Sequence, residues 1–216
     1  MDWTRNIDAY CERVGATFWS EPINAVTNLA FIVAAFIIWR RLAGQTLPIA
    51  RVLTIILGLI GVGSCLFHTY AQAWSGLADV LPIVGFVLVY CYAACLHFWN
   101  LTPLISGLAA LLVLPYSVAF GYLFERLSFF EISSAYWPLP ILISLVAIAL
   151  RKSTKRTSTG LLFGAGLLSV SLVFRSLDAA VCEMFPIGTH FLWHLLNAVM
   201  LAWMIETYRR HMLAQR

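Results

Sequence analysis

Apolar residues run along this chain in seven long stretches that short polar stretches separate. Each apolar stretch is about 20 residues long, the length of a helix that crosses the hydrocarbon core of a bilayer. The stretches cover residues 22–40, 50–71, 77–98, 103–123, 133–150, 160–178 and 188–208. A helix is the expected form because an isolated strand in lipid leaves its backbone N–H and C=O groups unpaired. The pattern therefore predicts an all-α integral membrane protein of seven transmembrane helices, with a kink at Pro115 in the fourth.

The positive charges between these stretches indicate how the helices are oriented. Most Lys and Arg residues lie in "RRLAGQTLPIAR" after the first stretch, "RKSTKRTSTG" after the fifth and "YRRHMLAQR" at the end. Segments of this kind face the cytoplasm by the positive-inside rule. Seven helices then place the amino-terminal segment, residues 1–21, outside and the basic tail, residues 209–216, in the cytoplasm. We expect one membrane domain over residues 1–216.

Composition supports the membrane assignment. Hydrophobic residues make up 61% of the chain and charged residues 11%, whereas a soluble domain has roughly 25% charged residues. Residues 1–20 lack the apolar core of a cleavable signal peptide, so we expect them to be retained. The net charge of +4 is spread over loops, and nucleic acid is not an expected partner. The expected partner is the membrane, the plasma or inner membrane if the protein is bacterial, and the oligomeric state stays open.

Four ionisable residues fall at the outer ends of three predicted helices. His68 lies at the end of the second helix, Asp79 at the start of the third, and His190 and His194 at the start of the seventh. His190 and His194 are four residues apart and share a helix face, as do Ser64 and His68. Three imidazoles from two helices are the ligand set of a catalytic zinc site, whose fourth position stays open for water. Asp79 is the nearest candidate carboxylate to accept the proton of that water.

A histidine in a membrane helix also has a simpler interpretation, since it can hydrogen-bond to a neighbouring helix without binding a metal. His97 and His211 lie near cytoplasmic helix ends and fit the role of solvated interface residues. Ionisable groups inside the membrane are functional by default, and three imidazoles at one depth favour the metal site.

Five short motifs along the chain resemble those of the alkaline ceramidases. They are "EPINAVTN" at the first helix, "GSCLFH" at the end of the second, an aspartate eleven residues after His68, "SLDAAVCE" at the end of the sixth and "THFLWH" at the start of the seventh. The resemblance runs from about Asp8 to the end of the seventh helix. Alkaline ceramidases belong to a superfamily of seven-helix membrane hydrolases that also holds the adiponectin receptors.

The resemblance implies a zinc-dependent amidase that cleaves the N-acyl bond of ceramide or a similar lipid to a fatty acid and a long-chain amine. By the matching motifs, His68, His190 and His194 correspond to the Zn²⁺ ligands. Asp79 corresponds to the general base and Ser64 to the residue that supports the oxyanion. The lipid substrate is then expected to enter laterally from the outer leaflet, and the active site to lie near the extracytoplasmic side.

The amino-terminal segment of the family also carries carboxylates that bind calcium. The corresponding candidate Ca²⁺ ligands in this chain are Asp8, Glu12, Glu21 and Asn24. The match is incomplete, because Val14 stands where the family has a polar ligand. Ca²⁺ takes six to eight oxygen ligands. The alternative is a surface salt-bridge cluster in which Glu12 and Glu21 pair with Arg5 and Arg13.

Two further pairs of residues follow from the same resemblance. Cys11 and Cys182 match paired cysteines of the family, and both are expected on the outer, oxidising side, which implies a disulfide. Arg175 and Asp178 are three residues apart near the outer end of the sixth helix. Either they pair within the helix, or Asp178 accepts a hydrogen bond from a zinc-bound histidine. Arg175 stands where the family usually has an aromatic residue.

Two other functions fit the same sequence. One is a hydrolase of another lipid amide or ester, because zinc chemistry attacks either carbonyl. The other is a seven-helix receptor whose zinc is structural. A transporter is disfavoured because the buried charge lies in one layer and no chain of carboxylates crosses the membrane.

Overall fold

A computed structural model describes residues 2–215. In these residues it contains seven helices, one short 3₁₀ turn at Glu131–Ser133 and no strand, only an isolated bridge between Asn6 and Gln72. The helices are α1 (Pro22–Arg41), α2 (Pro48–Tyr70), α3 (Ala73–Phe98), α4 (Pro103–Glu125), α5 (Pro138–Leu150), α6 (Lys155–Val181) and α7 (His190–Ala214). The prediction of an all-α chain with seven helices is confirmed.

Five of these helices, α1 to α4 and α6, are long and apolar enough to cross a membrane, as expected of a multi-pass membrane protein. Large apolar side chains such as Phe36, Leu59, Leu81 and Leu145 are exposed on the surface of the bundle, where lipid would cover them. Two helices extend beyond the apolar stretches that predicted them. α6 begins at Lys155 and α7 continues to Ala214, because polar and basic residues at a helix end add turns that a hydropathy pattern does not register.

Helix α7 lies at the centre of the bundle. It packs against α6 and also against α1, α2 and α3. The remaining neighbours follow the chain, with α2 between α1 and α3 and α5 against α6. Because α7 is enclosed on most sides, polar side chains on it need protein partners rather than water.

Two helices are interrupted. α1 breaks at Asn28, between Pro22–Thr27 and Leu29–Arg41. α4 breaks at Leu112, three residues before Pro115. Proline has no backbone N–H for the bond to the fourth residue before it, so the break lies where Pro115 predicts a kink.

Residues 2–21 fold over the end of the bundle where α2 finishes and α7 begins, which we call the histidine end. Ile7 N–H donates to Ala71 O at 2.7 Å, and Ala73 N–H donates to Arg5 O at 3.1 Å. Ala71 ends α2 with a left-handed backbone at φ 46°. The amino-terminal segment is therefore bonded to the turn between α2 and α3 and closes this end of the bundle.

Candidate metal centre

Three histidine rings meet at the histidine end. The ring centroid of His194 lies 4.7 Å from those of His68 and His190, and the latter two are 5.1 Å apart. One ligand nitrogen from each ring lies within 4.8 Å of the other two. All three residues are buried. In the part of the chain that the structure describes, this is the one group of His, Cys, Asp and Glu side chains with metal-binding geometry.

The outward nitrogens of two rings have protein partners. His68 Nδ1 lies 2.5 Å from Glu21 Oε2, and His194 Nδ1 lies 2.9 Å from Thr27 Oγ1. A metal-binding histidine typically uses its second nitrogen in this way, which fixes the ring and its tautomer. The opposite nitrogen of His194, Nε2, is buried and has no hydrogen-bond partner within residues 2–215, and the same holds for His190 Nδ1.

These unpartnered nitrogens test whether the site fits a metal. A buried polar atom without a partner is costly, and nearly all such atoms in proteins are satisfied. Three imidazoles that converge with free nitrogens fit a Zn²⁺ ion, since neutral imidazole is a preferred zinc ligand. The donor set leaves room for a further ligand, as in catalytic rather than structural zinc sites.

Asp178 sets the start of α7 and therefore the position of His190. Its Oδ1 accepts hydrogen bonds from Thr189 N–H at 2.7 Å and His190 N–H at 2.9 Å. Its Oδ2 accepts from Cys11 N–H at 3.0 Å. A carboxylate at a helix amino terminus is also favoured by the helix dipole. Asp178 thus holds His190 by the backbone, and the imidazole contact expected from the sequence is replaced by this backbone contact.

Gly188 makes this arrangement sterically feasible. Its φ is +67°, a conformation that side chains with a Cβ rarely adopt. A Cβ built at this position would collide with Asp178 Oδ1 and would lie 2.6 Å from Cys11 Cβ. Glycine therefore lets the loop before α7 approach the carboxylate.

Ser64 and Asp79 come together because α2 and α3 approach closely. A Cβ on Gly63 would collide with the carbonyl oxygen of Ala78 and lie 3.2 Å from Asp79 N. The Ser64 side chain contacts Asp79 at this crossing. Ser64 is one helical turn from His68, about 6 Å along the axis. The structure therefore brings together the two residues that the resemblance implies as catalytic.

The candidate calcium ligands of the amino-terminal segment have separate contacts, and the buried Asn24 Oδ1 has no hydrogen-bond partner among the described residues. The Glu12 carboxylate caps α1, accepting from Ile23 N–H at 2.6 Å and Asn24 N–H at 2.8 Å. The Glu21 carboxylate pairs with Arg13 and His68, and Asp8 is exposed. The carboxylates of Glu12 and Glu21 therefore each have N–H partners within the protein.

The guanidinium of Arg13 is the positive charge that lies beside the Glu21 carboxylate. Arg13 Nε pairs with Glu21 Oε1, while its other nitrogens donate to Gly15 O at 3.2 Å and His68 O at 3.1 Å. The side chains of Arg13 and Glu21 are each 3% exposed, so the pair is buried rather than part of a surface cluster with Arg5. Burial raises the pKa of Glu21, and the charge of Arg13 opposes this shift. Glu21 therefore belongs to an internal ion pair, which favours the ion-pair alternative for this residue over the calcium one.

Arg175 does not pair with Asp178. No acidic side chain among residues 2–215 forms an ion pair with Arg175. Its Nη1 donates to Ile132 O and, at 3.0 Å, to Ser133 Oγ. Asp178 is occupied by backbone N–H groups, so the intrahelical pair expected from the sequence is replaced by contacts of Arg175 to the 3₁₀ turn.

Cys11 and Cys182 form a disulfide with a Cα–Cα distance of 5.3 Å. The disulfide fixes the amino-terminal segment to the end of α6, next to Asp178. The other cysteines, Cys65, Cys91 and Cys95, are free.

The family model named Ceramidase matches residues 5–215, almost the whole chain. The chain belongs to the ceramidase family. This membership supports ceramide hydrolysis in general as the activity of the chain. No curated protein matches the chain closely enough to refine this assignment.

Two residues beside the histidines have contacts that the sequence did not indicate. The sequence offers Glu21 as a calcium ligand or as the partner of an arginine, and in the structure Glu21 also contacts His68. Tyr10 was not named at all, yet its ring stacks on His190 with centroids 3.7 Å apart. The one sequence feature that could have indicated Tyr10 is its position next to Cys11. A disulfide that holds Cys11 near the start of α7 also holds Tyr10 there.

Proposed function

We propose that this chain is a zinc-dependent intramembrane amidase that cleaves the N-acyl bond of ceramide or a ceramide-like lipid. The observation that carries the proposal is the buried group of His68, His190 and His194 with unpartnered nitrogens on two rings. The Ser64–Asp79 pair adds a hydroxyl and a carboxylate. A site that contained the metal for structure alone would not need either group.

The roles of the residues follow from their chemistry. Zinc, when bound by the three histidines, supplies the Lewis acidity that polarises an amide carbonyl and acidifies water. Asp79 accepts a proton from the attacking water and returns it to the amine nitrogen as the C–N bond breaks. Ser64 donates a hydrogen bond to the negative charge that develops on the carbonyl oxygen. The hydroxyl of water ends on the fatty acid and its proton on the long-chain amine.

Glu21 and Thr27 orient the rings. Each contacts the outward nitrogen of one histidine, which keeps the inward nitrogen available as a ligand. Because Arg13 neutralises Glu21, the carboxylate can stay charged in a buried place. These residues position the ligands and take no proton from the substrate.

An apolar cavity lies between α3, α5, α6 and α7, and we propose that one lipid chain of the substrate packs there. Its lining includes Phe86 on α3, Leu142 on α5 and Leu168 on α6. Trp193, which lies between the two ligand histidines of α7, also lines it, so the cavity reaches the turn that carries the metal ligands. The lipid enters laterally in this proposal, with its amide at the metal and a chain in the cavity.

Metal content and product release test the proposal together. The purified wild type should contain about one zinc per chain and release fatty acid from ceramide. His194→Ala should lose both, while His97→Ala, a ring at the opposite end of the bundle, should keep both. Stoichiometric zinc without turnover of any N-acyl lipid or ester would favour a receptor. Absence of zinc in the wild type would refute the metal site itself.

A further inference from the structure

Arg175 is a partly buried cation without an acidic partner. No carboxylate within residues 2–215 lies within ion-pair distance of its guanidinium. The guanidinium carbon lies 5.2 Å from the ring centroid of Tyr136 and 5.7 Å from that of Trp193. Its hydrogen bonds to Ile132 and Ser133 both use Nη1. The direct contacts of the guanidinium are therefore aromatic rings and neutral oxygens, which do not neutralise its charge.

The cation lies beside the metal centre. The Tyr10 side chain contacts Arg175, and the Tyr10 ring stacks on His190. Asp79 is close enough for its charge to act on Arg175, although the two form no ion pair. One aromatic side chain therefore separates the guanidinium from a proposed zinc ligand.

A partly buried guanidinium without an ion-pair partner costs free energy, and an anion bound beside it would lower that cost. Arginine stays charged in proteins, and an uncompensated charge in a low-dielectric region is strongly disfavoured. Charged residues at membrane depth mark the binding of ions or charged ligands. Guanidinium binds carboxylate, phosphate and similar anions with two parallel hydrogen bonds. Ceramide itself has a neutral polar head and would leave this capacity unused.

We propose that Arg175 binds an anionic group on the polar head of the substrate. The preferred substrate is then an N-acyl lipid with a phosphate, sulfonate or carboxylate near the amide. This inference rests on the proposed function, because it takes the three-histidine centre as the place where the amide is cleaved.

Two lipids that differ only in the anion test this inference. Ceramide and ceramide 1-phosphate with identical chains are supplied in mixed micelles to the zinc-loaded protein. The wild type should favour ceramide 1-phosphate by roughly 10- to 100-fold in kcat/KM, mainly through KM, as expected for a charge-assisted bond. Arg175→Gln should lose this preference and Arg175→Lys should restore part of it. Arg126→Gln, an exposed arginine outside the site, is the matched control.

If the anion that Arg175 binds is not on the headgroup, the measurements differ. If Arg175 serves the released fatty acid, Arg175→Gln weakens inhibition by free fatty acid and leaves the two amides equal, which overturns the headgroup assignment. Equal use of both lipids by the wild type, or a preference that survives Arg175→Gln, also overturns it. Melting temperatures of all variants show whether any loss reflects unfolding.

Binding separates this inference from the proposed function. The shift in melting temperature caused by each lipid is measured with His194→Ala, which has no turnover. A larger shift with ceramide 1-phosphate that depends on Arg175 supports the anion site, even where the wild type hydrolyses neither lipid and the amidase proposal fails. Equal shifts with both lipids refute the anion site, whatever the activity.

Discussion

Asp178→Asn tests whether one carboxylate positions the metal centre through the backbone. Asp178 is 2% exposed and accepts three backbone N–H groups, from Cys11, Thr189 and His190. Asparagine has the same shape but only one acceptor oxygen. If that oxygen takes the place of Oδ1, the bonds to Thr189 and His190 remain as neutral hydrogen bonds. The N–H of Cys11 then faces an NH₂ group and loses its partner.

The magnitude follows from these three bonds. A hydrogen bond to a charged group contributes about 1.5–3 kcal/mol, and a neutral one about 1 kcal/mol. One lost bond of about 1.5–3 kcal/mol and two bonds weakened by about 0.5–2 kcal/mol each should cost roughly 2.5–7 kcal/mol of the free energy of unfolding. For a chain of this size that corresponds to a melting temperature lower by roughly 5–25 °C. Asp178→Ala removes all three acceptors and should cost more than Asp178→Asn.

Thermal unfolding in detergent and zinc content are the two measurements. Asp178→Asn should melt earlier and bind zinc more weakly, because the first turn of α7 carries His190. Asp8→Asn is the matched control, since Asp8 is an exposed aspartate of the amino-terminal segment. If Asp178→Asn melts and binds zinc like the wild type, the carboxylate does not position α7 and the reasoning fails.

Three further predictions concern the crossing of α2 and α3, the internal cation and the disulfide. Gly63→Ala should lower kcat by roughly 10- to 100-fold with zinc retained, because its Cβ separates the two helices. Gly58→Ala, whose Cβ would meet only Ala35 Cβ at 3.9 Å, should be unaffected, and equal activity of both variants would contradict the argument. Arg13→Met should lose about 3–5 kcal/mol of stability relative to Arg5→Met, and added Ca²⁺ should not raise the melting temperature of the wild type. A wild type that Ca²⁺ stabilises would show that a calcium site exists. Thiol titration of the denatured chain should find three reactive thiols before reduction and five after it, and five before reduction would exclude the disulfide.

The helices could be predicted from sequence because lipid imposes a simple rule on the chain. Backbone groups in hydrocarbon must pair within a helix, so an apolar stretch of sufficient length predicts a spanning helix. The first and last residues of the helices were harder to predict. α5 begins at Pro138, five residues after the predicted start at 133, because residues 131–133 form a 3₁₀ turn. The orientation of the bundle in the membrane stays a prediction from loop charge.

The grouping of the three histidines was predictable because it depends on helical spacing and depth. The contacts around them were not. Glu21 and His68 are 47 residues apart, and Cys11 and Asp178 are 167 apart. From sequence alone, a carboxylate near the start of a helix can be a calcium ligand, a helix cap or an ion-pair partner. Only the fold shows which N–H groups lie near it. Asp178 accepts hydrogen bonds from backbone N–H groups. Nearly every residue has such a group, so no sequence pattern could indicate these particular contacts.

The two arginines at the histidine end differ in how their charge is balanced. Arg13 and Glu21 are both buried and paired, and Glu21 in turn contacts His68. That charge is therefore balanced inside the protein, by the carboxylate that contacts the His68 ring. Arg175 has rings and neutral oxygens around it, and no acidic side chain in the described chain forms an ion pair with it. One guanidinium at this end of the bundle has a carboxylate in direct ion-pair contact, whereas the other has only the more distant charge of Asp79. The proposed anion on the substrate supplies the direct partner that Arg175 lacks.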